Sequence, residues 1–224
     1  MIRRLGVVIP ARDEEERIGA CLASVVRAAA GVPQPVDIVV VADGCLDRTV
    51  AVARSFRGVR VLEIESSNVG AARAAGARAV LARGADWLAN TDADSTVPQN
   101  WLAAQLELAD AGADVVVGTV RPDFAELSDE QVAAWRSGHV PGEPNGHVHG
   151  ANLGVRASAF LAVGGYRDLP EHEDADLVAR LAGFRIVASD DAEVVTSGRS
   201  IGRTPGGYAR YLREDLLRSA SQRT

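Results

Sequence analysis

The stretch LGVVIPARDEEERIGACLASVVRAAA, residues 5–30, joins a short apolar run to a helical pattern. Leu5 to Ala11 is rich in valine and isoleucine, as buried strands are. From about Glu14 to Ala30, Ile18, Leu22 and Val25 recur at helical spacing. The stretch therefore predicts a strand followed by a helix.

The same alternation recurs along the first half of the chain. We predict further strands at Asp37–Ala42, Val59–Ile64, Trp87–Thr91 and Asp114–Val120. We predict helices at Asp47–Phe56 and Gly70–Arg83, and a third helix opened by Pro98. Apolar strands that alternate with helices indicate an α/β fold with a mostly parallel sheet flanked by helices, Rossmann-like in its first 120 residues.

The pattern changes after residue 120. Between Arg121 and Gly150 the periodicity fails, and Pro141–Gly146 has the composition of a flexible loop, which we expect near the functional site as a lid. Beyond it we predict a helix near Asp174–Ala182 and strands at Arg185–Ala188 and Glu193–Thr196. Gly206 to Ser219 has the pattern of an amphipathic helix.

Composition limits the class of protein. A chain of 224 residues, 47% of them hydrophobic, can bury one core, so a single domain is expected. A net charge of -6 argues against a nucleic-acid binder with a broad basic surface. Two cysteines form no disulfide framework, and the sequence has neither a signal peptide nor a long apolar run, so we expect a cytoplasmic protein.

Asp92-Ala93-Asp94, directly after a predicted strand, is the strongest local signal for chemistry. In extended backbone, residues two apart point the same way, so the two carboxylates should lie together at the sheet edge where ligands bind. They would repel each other unless a cation lies there, and Mg²⁺ or Mn²⁺ completed by diphosphate oxygens is the expected arrangement. The alternative is a helix-capping Asp with a solvated neighbour.

A second acidic cluster, Glu171-His172-Glu173-Asp174-Ala175-Asp176, precedes an apolar helix. A carboxylate there could act as a general base on an acceptor hydroxyl. An acid-rich start of a surface helix has the same composition, and the residues alone do not separate the two interpretations. Asp43 and Asn68, after the second and third strands, could likewise contact a ligand or simply cap helices.

Five motifs in order give the chain a resemblance to a known family. They are VVIPARDEE at residues 7–15, Asp43-Gly44 with Asp47-Arg48-Thr49, Asn68-Val69-Gly70 with Ala72-Arg73, Asp92-Ala93-Asp94, and Glu173-Asp174. Their order and spacing, from about residue 5 to residue 185, resemble the family 2 glycosyltransferases of GT-A fold. The resemblance implies a metal-dependent transfer of a sugar from a nucleotide-diphosphate sugar to a hydroxyl on a small-molecule, lipid-linked or glycan acceptor.

The resemblance also implies roles for individual residues. Contact with the nucleotide sugar is expected of Pro10, Arg12, Glu14, Asp43, Gly70, Arg73, Asp92 and Asp94. In that set Asp43 would pair with the base, and Asp94 with Asp92 would bind Mg²⁺ or Mn²⁺. The donor sugar and acceptor would contact His149, Gly150, Asn152 and Glu173. Asp174 would be the catalytic base of an inverting transfer.

The resemblance divides the chain into three parts: a nucleotide-sugar-binding half (1–120), an acceptor and catalytic half (121–198), and a basic C-terminal helix (199–224). One feature departs from the family pattern, because many members have a metal-binding His where this chain reads Val195-Thr196-Ser197-Gly198-Arg199. Arg199 and Arg203 could instead bring guanidinium groups to a diphosphate. A solvated basic tail, or peripheral contact with anionic lipid headgroups, is the alternative.

Other classes with a related fold fit less well. A nicotinamide-dependent dehydrogenase would need a glycine-rich turn after the first strand, where this chain has Pro10-Ala11-Arg12-Asp13. A sugar-phosphate nucleotidyltransferase would need a glycine-rich first loop with a following basic residue, which we do not find. It stays the alternative enzyme, and a non-catalytic nucleotide-sugar-binding protein is the alternative outside enzymes.

Overall fold

The computed structural model of the chain describes residues 1–140, 147–202 and 206–221, the last three by their backbone alone. The loop predicted at 141–146 and the basic residues Arg203 and Arg223 lie outside the described residues. Within them the strands are β1 (Leu5–Ala11), β2 (Val36–Asp43), β3 (Val59–Ile64), β4 (Trp87–Asn90), β5 (Ser95–Thr96), β6 (Val115–Pro122), β7 (Leu153–Arg156) and β8 (Ile186–Thr196).

The helices flank these strands. They are α1 (Ile18–Ala30), α2 (Thr49–Arg54), α3 (Val69–Leu81), α4 (Trp101–Asp110), α5 (Asp129–Ser137), α6 (Ala157–Ala162), α7 (Glu173–Arg180), α8 (Tyr208–Arg210) and α9 (Leu216–Ser221). A π-helical turn, Tyr211–Asp215, joins the last two, and 3₁₀ turns occur at Phe124–Glu126 and Gly150–Asn152. Among the described residues, no helix is long and apolar enough to cross a membrane.

The strands form one sheet in the order β3-β2-β1-β4-β7-β6-β8-β5. β1 pairs in parallel with β2 and β4, β2 with β3, and β6 with β8. β7 is antiparallel to both β4 and β6, and β5 is antiparallel to β8. Only β7 and β5 therefore run against the other described strands, and the mostly parallel sheet is confirmed. The carboxyl ends of β1, β2, β4, β6 and β8 share one edge, where β5 and β7 begin.

Helix α3 lies unusually close to the sheet because its residues are small. A Cβ atom at Gly76 would collide with the side chain of Val8, and one at Gly6 on β1 would collide with Val80 of the helix. These contacts hold α3 against β1 and β2. The helix N-terminus, capped by the Asn68 side chain, which accepts from Ala71 N, is thereby held at the carboxyl edge of the sheet.

Several predicted elements differ from the structure. Residues 121–150 were expected to lack regular structure, but Asp129–Ser137 forms α5, whose capping box joins Ser128 and Gln131. The two strands predicted at 185–188 and 193–196 are one strand, β8, with a register shift opposite Gly118–Val120. Helix α1 begins at Ile18 rather than near Glu14.

The predicted C-terminal amphipathic helix is present as α8, the π-helical turn and α9. Its apolar face is used inside the fold, because Leu212 and Leu216 pack against Ala134 and Trp135 of α5. Its arginines, Arg210, Arg213 and Arg218, are exposed.

Candidate functional site

The carboxyl edge of the sheet carries a cavity of about 290 Å³, here called the strand-end cavity. It collects residues that are far apart in sequence because each follows a strand that ends at this edge. Its lining includes Pro10 and Ala11 at the end of β1 with Arg12 and Glu14 after it, Asp43 at the end of β2, Ser67 and Asn68 before α3, Asp92 and Asp94 after β4, and Thr196 at the end of β8 with Ser197 and Arg199 after it. Six of the predicted nucleotide-sugar contacts therefore lie together.

Arg199, Glu14 and Asp94 line the strand-end cavity and form a cluster of ion pairs. The guanidinium of Arg199 lies between two carboxylates, with Nη1 2.7 Å from Glu14 Oε1 and Nη2 2.8 Å from Asp94 Oδ2. The Glu14 side chain is 5% exposed and that of Asp94 14%. Burial raises the pKa of the Asp94 carboxyl to about 6, with the charge of Asp92 adding to the effect and Arg199 opposing it. Asp94 thus carries a poorly solvated charge that one guanidinium only partly balances.

The oxygen atoms around Asp94 suit a hard divalent cation. Mg²⁺ and Mn²⁺ prefer carboxylate oxygens, and Mg²⁺ in particular is commonly held by one or two carboxylates together with substrate phosphates. Neither group of three potential ligand side chains in the described part of the chain, Asp13–Cys45–Asp47 and His139–Asp190–Glu193, includes Asp92 or Asp94. Both aspartates line the strand-end cavity, so a cation held there would need further oxygens, such as those of a diphosphate, to complete its coordination.

Asp43 is buried, and its carboxylate organises the loop that follows β3. Oδ1 accepts from the backbone N–H groups of Ser66 and Ser67 at 2.7 and 2.8 Å, and Oδ2 accepts from Asn68 at 2.8 Å. Asp43 also lines the strand-end cavity. Its carboxylate also shapes the cavity wall by fixing this loop.

Arg73 connects the two halves of the chain. Its side chain is 2% exposed, with Nε 2.8 Å from Glu173 Oε1 and Nη2 hydrogen-bonded to Asp92 Oδ1. Burial alone would lower the pKa of Arg73, but the negative charges of Asp92 and Glu173 raise it by more than burial lowers it. The pKa is therefore above its usual value, and the guanidinium is charged. Glu173 begins α7, so this pair of contacts fixes the start of α7 relative to the end of β4.

A second cavity, of about 530 Å³, lies on the other side of Asp92 and is here called the aromatic cavity. Its lining includes Arg73, Asp92, Trp135, His147, His149, Gly150, Glu171, Glu173, Asp174, Tyr208 and Tyr211. The ring of His149 packs edge-on against Tyr208, whose ring stacks on Tyr211. Burial lowers the pKa of His149, which leaves the imidazole neutral at pH 7.

Asp174 is held at the wall of the aromatic cavity by backbone groups. Oδ2 accepts from the N–H of Gly150 at 2.6 Å, and Oδ1 accepts from Ala175 at 2.7 Å. Gly150 lies in the 3₁₀ turn that precedes β7. Because β7 is antiparallel to β4 and β6, its start lies at their carboxyl ends, and the turn is therefore placed at this edge of the sheet. The carboxylate is half-buried and faces open space.

The two cavities adjoin rather than form one pocket. Both are lined by Val69, Asp92, Thr196, Gly207 and Tyr208. Asp43 and Asp94 face the strand-end cavity and Asp174 faces the aromatic cavity. The three aspartates therefore line two adjoining cavities that share Asp92 in their walls, and the two cavities are together called the cleft.

Two predicted site residues line neither cavity. Asn152 is 2% exposed: Oδ1 accepts from Trp101 Nε1, and Nδ2 donates to the carbonyl oxygens of Thr119 and Ala192. This amide joins α4, β6 and β8 beneath the cleft, and the structure therefore gives it a packing role where a sugar or acceptor contact was expected. Gly70 lies against the backbone of Arg167 and Leu169, where any Cβ would collide.

Sequence reasoning missed part of the lining. Trp135, Tyr208 and Tyr211 face the aromatic cavity although they come from α5 and the C-terminal helix. The capping sequence Ser128-Asp129-Glu130-Gln131 was a local signal for α5. The pairing of Arg199 with Glu14, 185 positions away, had no local signal.

Comparison with known proteins agrees with this geometry. The model of the family described as glycosyl transferase family 2 matches residues 6–160. A dolichyl-phosphate hexose transferase of Haloferax volcanii is 40% identical over 114 residues, which cover 51% of this chain and 46% of that protein. The succinoglycan biosynthesis protein ExoA of Rhizobium meliloti is 32% identical over 206 residues, covering 84% of this chain and 62% of that protein. The chain thus spans about half to three fifths of the length of these relatives.

Solved structures with the same fold include two complexes with nucleotide sugars. The mannosyltransferase PcManGT from Pyrobaculum calidifontis, in complex with GDP-Man and Mn²⁺, has a TM-score of 0.68 at 19% identity, covering 99% of this chain and 73% of that one. Residues 1–349 of S. aureus TarS, in complex with UDP-GlcNAc, have a TM-score of 0.68 at 15% identity, covering 92% and 61%. The fold is the GT-A fold that the sequence predicts. With a family model that matches more than half of its length, the chain belongs to glycosyl transferase family 2.

Proposed function

We propose that the chain transfers a sugar from a nucleotide-diphosphate sugar to a hydroxyl acceptor, with inversion at the anomeric carbon. The observation that carries this proposal is the pair of adjoining cavities, with Asp94 in the wall of one, Asp174 in the wall of the other and Asp92 in the walls of both. Such a cleft can hold two substrates whose reacting atoms meet at the junction. Residues 1–120 would bind the donor and residues 121–198 would supply the acceptor side.

The strand-end cavity is the proposed donor site. Pro10, Arg12 and Glu14 would line the nucleotide pocket, and Asp43 would lie at the base, as their places in the cavity wall support. Asp94, with Asp92, would hold Mg²⁺ or Mn²⁺ against the diphosphate oxygens. A bound cation of this kind neutralises negative charge on a departing nucleoside diphosphate.

The aromatic cavity is the proposed acceptor site, with Asp174 as general base. Both oxygens of Asp174 accept backbone N–H groups, which holds the carboxylate at the cavity wall, where it would take the proton of an acceptor hydroxyl. Glu173 is less suited to that role, because its carboxylate is buried and paired with Arg73. Arg73 and Glu173 would instead fix the position of Asp174 relative to Asp92.

Known relatives support a nucleotide sugar as donor without naming its base. The two structural neighbours were solved with GDP-Man and with UDP-GlcNAc, which differ in both base and sugar. The acceptor class stays at a hydroxyl on a small molecule, lipid-linked carrier or glycan.

The proposal is tested by a binding screen followed by two substitutions. Thermal shift with UDP- and GDP-sugars, with and without Mn²⁺, selects the donor, and release of nucleoside diphosphate then reports transfer or donor hydrolysis. We expect Asp94→Ala to abolish the Mn²⁺-dependent part of donor binding. Asp174→Asn should leave donor binding unchanged and slow transfer by roughly 10²–10⁴-fold, the range for loss of a general base.

Asp176→Asn is the matched control for the base. Asp176 lies on the same helix but pairs with Arg167 and Arg180, outside both cavities. It should transfer at the wild-type rate. Transfer by Asp174→Asn at the wild-type rate would show that another group takes the proton, and a wild-type chain that binds no nucleotide sugar would contradict the function as a whole.

A further inference from the structure

We propose that Arg199 is a built-in counter-cation of the donor site: it occupies the carboxylates of Glu14 and Asp94 when no ligand is bound, and a divalent cation must displace it to reach Asp94. Once displaced, the guanidinium is available to the diphosphate. This inference rests on the proposed donor site but not on the transfer reaction. It gives a function to the position where the family pattern leads one to expect a histidine ligand.

The contacts of Arg199 are those of a cation that the site requires. Its two terminal nitrogens reach separate, largely buried carboxylates at 2.7 and 2.8 Å, Glu14 through Nη1 and Asp94 through Nη2. Carboxylates that have lost most of their hydration are strongly destabilised without a partner cation. Among the described residues, Arg199 is the basic side chain that pairs with Asp94.

Two neighbouring arginines are paired with other carboxylates. Arg73 is bound to Asp92 and Glu173. Arg17 pairs with Glu126 at 2.7 Å. If the guanidinium of Arg199 left Asp94, the charge on that carboxylate would therefore have to be balanced by Arg12, which lines the same cavity, or by a ligand entering it.

Arg199 can move without unfolding the segment that carries it. The backbone beside it is fixed by Glu126, whose Oε2 accepts from Ser197 Oγ at 3.0 Å and from Gly198 N at 2.8 Å. Beyond this point the residue belongs to neither a helix nor a strand, and its side chain is 22% exposed in the strand-end cavity. The long side chain can thus swing from the carboxylates toward the cavity opening.

A guanidinium and a divalent cation compete for Asp94 but can cooperate on a diphosphate. Two cations at one carboxylate repel each other, so binding of Mn²⁺ alone should be weakened by Arg199. A diphosphate adds negative charge and phosphate oxygens that match the planar fork of arginine. Removing Arg199 should therefore have opposite effects on the two ligands, strengthening Mn²⁺ binding and weakening nucleoside diphosphate binding.

The experiment measures Mn²⁺ binding by electron paramagnetic resonance in the full chain, without nucleotide. Arg199→Gln should bind Mn²⁺ roughly fivefold more tightly than wild type, the size of effect expected when a partly buried ion pair no longer competes. In the second arm, UDP and GDP are titrated in the presence of saturating Mn²⁺. Here the same variant should bind the nucleotide that wild type prefers roughly tenfold more weakly, since one charged hydrogen-bonding group is lost.

Two further variants separate this effect from others. Arg83→Gln removes the same charge from the far end of the sheet, where Arg83 pairs with Asp37, and should change neither affinity. Arg199→Lys keeps a cation but cannot bridge both carboxylates, so its Mn²⁺ affinity should fall between wild type and Arg199→Gln. Near-ultraviolet circular dichroism verifies that each variant is folded.

The outcomes divide clearly. Opposite changes for Mn²⁺ and nucleotide support the proposal, whether or not the chain transfers any sugar. Weaker, unchanged or undetectable Mn²⁺ binding in Arg199→Gln overturns it, because Arg199 would then organise the site rather than compete for it. If no transfer is detected while these affinities still change in opposite directions, the proposed function is wrong, but the proposed role of Arg199 is supported.

Discussion

Arg73, which is buried in the cleft, restricts which residues can stand beside it. Removing the Arg73 guanidinium from water is costly, and its two carboxylate partners, Asp92 and Glu173, offset that cost. The space beside it must stay empty, because a Cβ at Gly150 would collide with the guanidinium. Gly150 also donates its N–H to Asp174, so one small residue serves both the arginine and the proposed base.

Gly150→Ala is therefore expected to damage the cleft more than the fold. The new methyl group must push Arg73 or the 3₁₀ turn aside, and overpacking of this kind costs about 1–3 kcal/mol of folding free energy. A shift of the turn also moves the N–H that holds Asp174. We expect transfer to fall by roughly 10²-fold, the penalty for a misplacement of about 1 Å at a reacting group.

Gly183→Ala is the control for Gly150→Ala, since a Cβ at Gly183 would meet nothing within 4 Å. Melting temperature and initial rates of nucleoside diphosphate release are measured for both. If Gly150→Ala keeps the wild-type rate, the contact between the turn and Asp174 does not position the base.

At single positions, the sequence was most informative where the backbone path alone decides the geometry. Asp92 and Asp94 follow a buried strand, and the rule that ligands bind at strand ends sufficed to place them in a cleft. Asn152 was expected at the sugar, but its amide is used by three partners from other elements. Contacts of that kind depend on long-range packing, which neither local pattern nor family resemblance provides.

Among the elements, α5 and the C-terminal helix form a unit that completes the aromatic cavity. Leu212 and Leu216 pack on Trp135, and the side chain of Gln131 donates to the carbonyl oxygen of Leu212 at 3.0 Å. Tyr208 is carried into the cavity wall by this packing. The C-terminal helix, expected to be a basic segment, therefore contributes apolar and aromatic surface to the proposed acceptor site.

Leu212→Ala tests this element directly. Leu212 is 1% exposed, and replacing a buried leucine with alanine costs about 2–5 kcal/mol when the cavity does not refill. We expect the C-terminal helix to loosen from α5, Trp135 fluorescence to shift to longer wavelength, and the Michaelis constant for the acceptor to rise while donor binding is kept.

Leu161→Ala, at a leucine of α6 that is 62% exposed, supplies the control and should change stability by no more than about 0.5 kcal/mol. Urea unfolding and steady-state fluorescence provide the measurements. Equal stability of the two variants would mean that the helix contributes little to the folded state.

The elements that the sequence failed to predict share a physical cause. Helix α5 has few apolar residues on its inner face, so periodicity missed it and only its capping box marked it. The direction of β7 depends on β4 and β6, which flank it on both sides. Asp190 and Asp191 interrupt the apolar pattern of β8, but the strand continues through them, and its pairing with β6 resumes at Val194 after a register shift. By contrast β1 and β3 were predicted to the residue. β1 is apolar throughout, and β3 has branched aliphatic residues around Arg60 and Glu63, so each short run between helices left few alternatives.

On the scale of the whole molecule, the two halves proposed to bind donor and acceptor share one sheet and the two larger hydrophobic cores. One core joins Val7 and Ala89 of the first half to Ala151 and Val194 of the second. The other, on the opposite face, joins Val8 to Leu153, Leu177 and Leu181. The boundary near residue 120 therefore separates two proposed roles, but the hydrophobic cores extend across it.

Unfolding of the full chain should consequently be a single cooperative transition. Neither half can lose its structure without exposing apolar side chains of the other, so intermediates with one folded half are costly. Urea unfolding is followed by far-ultraviolet circular dichroism and by tryptophan fluorescence, where Trp87 and Trp101 report on the core.

A Trp135→Phe variant removes the signal from α5, so that local loosening of the C-terminal helix is not mistaken for loss of a half. We expect coincident curves from both probes in this variant; two separated transitions would show that the nucleotide-sugar-binding half is a domain of its own, and that the cleft at Asp92 lies between domains rather than within one.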